Sequence, residues 1–214
     1  MVFINGSIII VFGIICYIIL ASILIGVNYK YQKPAWMKEV IKFFFVLYIL
    51  MVVSVTLFPL ALWIDYNIEH VKYSLNLIPF VSILKDFGQI GKAYDGNIMF
   101  MIEIIIKNVG GNILLFLPLG FLLPILSKKY KHFKYTLLLG FLVSLSIESV
   151  QFLELLAGAF ERTVDIDDVI CNVIGVCIGY FIFKIMFRLS DKFHIKFLHT
   201  ILKGNNNQAI NRTN

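Results

Sequence analysis

The residues with most chemistry to offer fall in four short stretches. RTVDIDDVICN (162–172) places Arg162, Asp165, Asp167 and Asp168 just ahead of an apolar run that already contains Asn172. Ser144, Glu148 and Gln151 follow i, i+4, i+7 spacing, so a helix would carry all three on one face. Asn108 and Asn112 stand one turn apart and flank Gly110 and Gly111, and Asn76 opens the segment NLIPF. A carboxylate held among such groups can serve as general acid or base, and Glu148, Asp165 and Asp168 are the candidates for that role. Asp165 and Asp168 also offer hard oxygen ligands to a divalent cation. The residues specify no other cofactor. The planar fork of Arg162 suits bidentate pairing with a carboxylate, and Glu148 is its expected partner.

Each of these residues has a plainer reading. Asp165 or Asp167 can cap the helix that follows, satisfying its first N–H groups. Asn108, Asn112 and Asn172 can join helices by hydrogen bonds. Glu148 and Arg162 can form a buried structural pair. Gly175 and Gly179, one turn apart, can permit close helix packing, and Pro118 and Pro124 can bend the helix that holds them. What the plain readings leave unexplained is the gathering of so many polar groups.

The elements that must position these groups are membrane spans. Hydrophobic residues make up 59% of the 214-residue chain and charged residues only 15%. Ordinary soluble domains are roughly 45–50% apolar. The mean hydropathy is +0.86. A bilayer crossing takes about 20 apolar residues, and five segments qualify: roughly 7–27, 41–64, 109–127, 133–153 and 168–188. The first lacks a basic leader and a small-residue cleavage site, so it reads as a span and not a removed signal peptide. Pro59 is expected to kink or stop the second. Residues 98–107 (IMFMIEIIIK) are too short to cross alone, so they are expected to lie in the interface or lead re-entrantly into the third span. Residues 192–203 alternate apolar and basic positions at helical spacing, which suits a helix lying on an anionic membrane surface. The polar tail after them reads as disordered. Three regions follow: 1–64 with two spans, 65–188 with an outer loop and three spans, and 189–214 with the basic helix and tail.

Charge orients this arrangement. With the N-terminus outside, 14 of the 19 lysines and arginines fall in inside segments, and 11 of the 13 acids fall outside or near the outer ends of spans. Basic inner loops are the usual pattern of membrane proteins, so the expected topology is N-terminus out and C-terminus in the cytoplasm. The formal charge of +6 therefore reads as membrane topology, and nucleic acid is not an expected partner. Cys16, Cys171 and Cys177 all lie in apolar runs, which excludes a disulfide framework. His70, His132, His194 and His199 are scattered, and no nucleophile motif is present. On this topology Asn76, Asn108, Asn112, Ser144, Glu148, Gln151, Arg162, Asp165, Asp168 and Asn172 reach one depth near the outer leaflet. An ionisable group at such a depth is costly unless it faces protein, water or a partner. The expectation is a polar pocket with those residues as its walls.

NLIPF (76–80), NVGGNILLFLPLGFLLP (108–124), SLSIESVQ (144–151) and RTVDIDDVICNVIGVCIGY (162–180) resemble, in order, the motifs of the VanZ family. The resemblance spans about residues 76 to 180. It departs from the family where a glycine-arginine pair is usual and this chain has Glu161-Arg162. The family is named for a small bacterial membrane protein associated with resistance to the glycopeptide teicoplanin. The resemblance implies an all-α, multi-pass protein of the bacterial plasma membrane connected with the cell envelope. It implies a context and no reaction.

Three functions fit these readings. The pocket could bind a lipid-linked envelope precursor or a lipoglycopeptide antibiotic, among membrane lipids as its surroundings. An intramembrane enzyme could use Glu148 as acid or base, or a cation on Asp165 and Asp168, to modify a lipid-linked envelope substrate. A lipid or precursor transporter could use the Gly110-Gly111 and Pro118 region as broken helices, but five spans without an internal repeat fit that role poorly.

Overall fold

The computed structural model describes residues 2–29, 36–62, 68–159, 162–194 and 202. Helices dominate it, and five are long and apolar enough to cross a membrane. They are α1 (Gly6–Tyr29), α2 (Trp36–Leu57), a third span running Ile98–Leu126, α7 (Phe133–Leu156) and α8 (Ile166–Lys192). Between α2 and the third span come two short helices, α3 (Ile68–Tyr73) and α4 (Val81–Gly88). Two small strand pairs complete the fold. Strand β1 (Val2–Ile4) lies antiparallel to β2 (Leu60–Leu62), and β3 (Leu75–Asn76) lies parallel to β4 (Val164–Asp165).

The second span begins and ends earlier than the 41–64 expected from hydropathy. It stops at Leu57, two residues before Pro59, and the apolar residues 60–62 pair as β2. The third span corrects a larger expectation. Residues 98–107 are not a separate interfacial segment, because they form the first turns of the span itself. Asn97 caps that helix, its side chain accepting from Phe100 N–H at 3.1 Å. The chain then runs through α5 (Ile98–Ile105), a wider π-helical turn at Ile106–Gly110 and α6 (Gly111–Leu126). Both Pro118 and Pro124 stand inside α6, where neighbouring helices make such residues tolerable. Residues 195–201 and 203–214, which hold most of the expected basic helix and tail, lie outside the described residues.

Packing centres on α6 and α8. Hydrocarbon gives apolar side chains no reason to leave it, so close backbone approach must hold helices together. Gly175 and Gly179 of α8 provide that approach. A Cβ on the first would strike the carbonyl oxygen of Ile113, and one on the second that of Leu117. Around this contact Phe116, Leu119, Leu123, Ile147, Val176 and Val52 form the main apolar core. Hydroxyls tie it at its edges: Tyr48 donates to the Leu115 carbonyl at 2.7 Å and Tyr180 to that of Lys131 at 2.6 Å. Helix α1 packs chiefly on α2 and presents Ile8, Phe12, Ile15 and Ile19 outward, as a lipid-facing helix should. A second cluster of Val71, Leu155 and Val164 seats the loop elements on the end of α7.

Candidate functional site

The end of α2, the start of the third span, the end of α7 and the start of α8 meet at one face of the bundle, under α3, α4 and the β3–β4 pair. The register of that pair sets Asn76 beside Asp165. Asp165 is the N-cap of α8. It has extended backbone, and its carboxylate accepts from Asp167 N–H at 2.9 Å. The same Oδ1 accepts from Asn76 Nδ2 at 2.9 Å, and Asn76 donates also to Ser82 Oγ at 2.8 Å. One capping residue therefore starts a membrane span and fastens a loop nearly ninety positions earlier in the chain.

Asp167 serves a second helix. It is 3% exposed, and its carboxylate accepts from the backbone N–H groups of Phe80 and Ile83. Phe80, directly before α4, adopts a left-handed backbone (φ 67°), and no side chain of its own segment caps α4. Asp167 supplies that cap from across the fold. This residue was not among the expected pocket walls, because nothing local in NLIPF shows that its N–H groups lack an acceptor.

Glu148 is buried on α7 at 6% exposure. Its Oε2 accepts from the backbone N–H of Asp165 at 3.1 Å. Arg162 is not its partner, which corrects the expected pair. Instead Arg162 Nε meets Glu154 Oε2 at 2.8 Å, and Nη1 donates to the Thr56 carbonyl at 3.1 Å. The reason is axial position. Glu154 lies six residues beyond Glu148, about 9 Å further along α7, toward the loop from which Arg162 emerges. The C-terminal carbonyls of α2 add a partial negative charge there. Gln151 also points to α2, donating to Thr56 O at 2.9 Å. Arg162 and Gln151 thus belong to a latch between α2, α7 and the last loop. Ser144 and Asn172 face each other deeper in the bundle at 2.9 Å, joining α7 to α8.

What remains open is a cavity of about 440 Å³. Asn108 and Lys107 of the π turn, Asn112 of α6, Ser82 and Asp86 of α4, Thr163 in the loop, and Asp165, Asp167 and Asp168 of β4 and α8 line it. Asp168 accepts from Asn112 Nδ2. Lys107 is the lining cation facing four acidic side chains. Beside this cavity runs an apolar groove of about 260 Å³ between α7 and α8, walled by Leu75, Leu77, Leu145, Phe152, Ile166 and Val169. Glu148 reaches this groove, and Asp165 lines both spaces.

Of the expected walls, the structure thus gathers Asn108, Asn112, Asp165 and Asp168 around one cavity. Asn76 braces it, Glu148 borders the neighbouring groove, and Ser144, Asn172, Gln151 and Arg162 line neither space. Lys107, Asp86, Ser82 and Thr163 line the cavity without having been expected there. Among the described residues no three histidine, cysteine or acidic side chains converge as a metal site.

No curated protein and no solved structure matches the chain. The family model described as VanZ/LLP1 matches residues 45–187, a span that contains every residue lining both spaces, and the chain belongs to that family.

Proposed function

We propose that this multi-pass protein sits in a bacterial plasma membrane with its polar cavity at the outer leaflet, and that the cavity binds a cell-envelope precursor or a lipoglycopeptide antibiotic. By occupying the precursor or holding the drug it lowers the access of teicoplanin-class agents to their target. One observation carries this reading: a polar cavity of about 440 Å³ built at the membrane end that the lysine and arginine distribution assigns to the outside. Binding fits the geometry better than acid–base chemistry, because Glu148, Asp165 and Asp167 already accept hydrogen bonds from backbone N–H groups. Deleting the gene and measuring teicoplanin and vancomycin susceptibility tests the reading. Greater susceptibility, restored by the gene in trans, is expected. Unchanged susceptibility to both drugs, with expression in the parent confirmed, would sink the resistance role.

A second reading rests on Glu148 bordering an apolar groove. A carboxyl group there could act as acid or base on a lipid-linked envelope substrate. Turnover of envelope lipids by the purified protein, lost in Glu148→Gln, would favour it over binding.

A further inference from the structure

The polar cavity and the apolar groove differ in chemistry and lie on either side of the same short strand. Thr163 faces the first, Val164 the second, and Asp165 lines both. A ligand that is polar at one end and apolar at the other would satisfy both spaces by straddling this strand. The groove is also open at its surface: Leu77 is 64% and Leu145 41% exposed, and Leu145 lies within the spanning helix α7.

The charge of the cavity selects the head group. A phosphate would normally seek the N–H groups at a helix N-terminus. Here the first turns of α8 and α4 are already capped by Asp165 and Asp167. The lining is acidic on balance, with Asp86, Asp165, Asp167 and Asp168 against the lining cation Lys107. Among the described residues the Asp168 carboxylate is engaged with Asn112, and the Asp86 carboxylate, unlike its backbone carbonyl, accepts no hydrogen bond. An ammonium group has three donors and no acceptor, and it would find Asp86, Asp168, Asn108, Ser82 and Thr163 as surrounding acceptors.

We propose that the two spaces form one site for a membrane lipid bearing a primary-amine head, with the ammonium in the acidic cavity and the chain in the groove between α7 and α8. This inference rests on the reading of the cavity as a binding site and narrows its ligand class.

The test uses the full chain purified in non-ionic micelles. Retention of octadecylamine, octadecyl phosphate and octadecanol, equal in chain and different in head, is measured by native mass spectrometry. Octadecylamine should be retained about tenfold or more above the other two, the gain expected of a charge-assisted contact. Asp86→Asn should reduce that preference and Asp86→Glu restore it. Leu145→Trp, which fills the groove, should weaken octadecylamine while leaving ethanolamine, which has no chain, unaffected. Elution volume and helical circular dichroism identify any variant that fails to fold. Equal or better retention of the phosphate would overturn the amine head and leave the resistance reading standing, since drug susceptibility judges that separately. Loss on Asp86→Asn with no effect of Leu145→Trp would overturn the union of the two spaces.

Discussion

Glu148 looks like a catalytic carboxylate and is held like a structural one. Its Oε2 receives the backbone N–H of Asp165, so it fixes the point at which the last loop becomes α8. An amide oxygen can accept that same bond. Glu148→Gln is therefore expected to keep normal membrane abundance and, on the binding reading, resistance within about threefold of the parent. Glu148→Ala leaves a part-buried N–H without its acceptor and should cost about 1 kcal/mol, visible as a lower melting temperature in micelles. A Gln variant with full abundance and no resistance would reverse the assignment. The sequence identified which residues matter at this scale more readily than what each does. Glu148, Asp165 and Asp168 stand out by type, but Glu154 competes for Arg162 through its height on the helix, which a motif does not display. The sequence marks Asp167 as a cap for its own helix, whereas it caps α4.

Helices α6 and α8 set the dimensions of the site, since Asn112 and Asp168 project from them toward each other. Their separation is governed by Gly175 and Gly179 against the carbonyls of Ile113 and Leu117. Gly179→Leu should force the helices apart, cost about 1–3 kcal/mol and lengthen the Asn112–Asp168 contact. The checks are thermal stability in micelles and distance measurement between spin labels on the outer ends of α6 and α8. Unchanged values would mean that the interface yields elsewhere. Close packing was legible in the sequence because glycines one turn apart have few other uses in a span. The start of the third span was not. Residues 98–107 are apolar enough to be helical, but Glu103, Lys107 and two asparagines suggest a break where the helix merely widens.

The whole molecule puts its charge asymmetry to use. The loops at the cavity end carry acids, and the lysine-rich connection 128–131 lies at the opposite end of α6 and α7. The N-out topology expected from the lysine and arginine distribution predicts that a membrane-impermeant maleimide added to whole cells labels Thr163→Cys and not Lys129→Cys. Both positions are exposed, and the three native cysteines would first be replaced by alanine. The reverse pattern would place the cavity in the cytoplasm and remove the argument for a drug-facing site. Five spans were legible from hydropathy because bilayer thickness fixes their length. The latch of Gln151 and Arg162 on Thr56 was not, because it joins residues about a hundred positions apart whose types give no hint of the match.

The widened turn at Ile106–Gly110 has a consequence for how this chain tolerates change. An α-helix rotates by about 100° per residue, and a π turn accommodates its loop of backbone with one residue more than the α-helical count. Deleting Val109 would close the turn to ordinary pitch. Because the wide turn had absorbed the extra residue, the helix before it would keep nearly the same face towards α6, with Met101 and Ile105 still buried, and the change would fall on Lys107 and Asn108 of the turn itself, which line the cavity. Val109→Ala should be mild, whereas the single deletion should reshape the cavity wall at the turn, seen as altered hydrogen exchange over residues 106–112. Chain length at this one point, independent of residue identity, is part of what specifies the site.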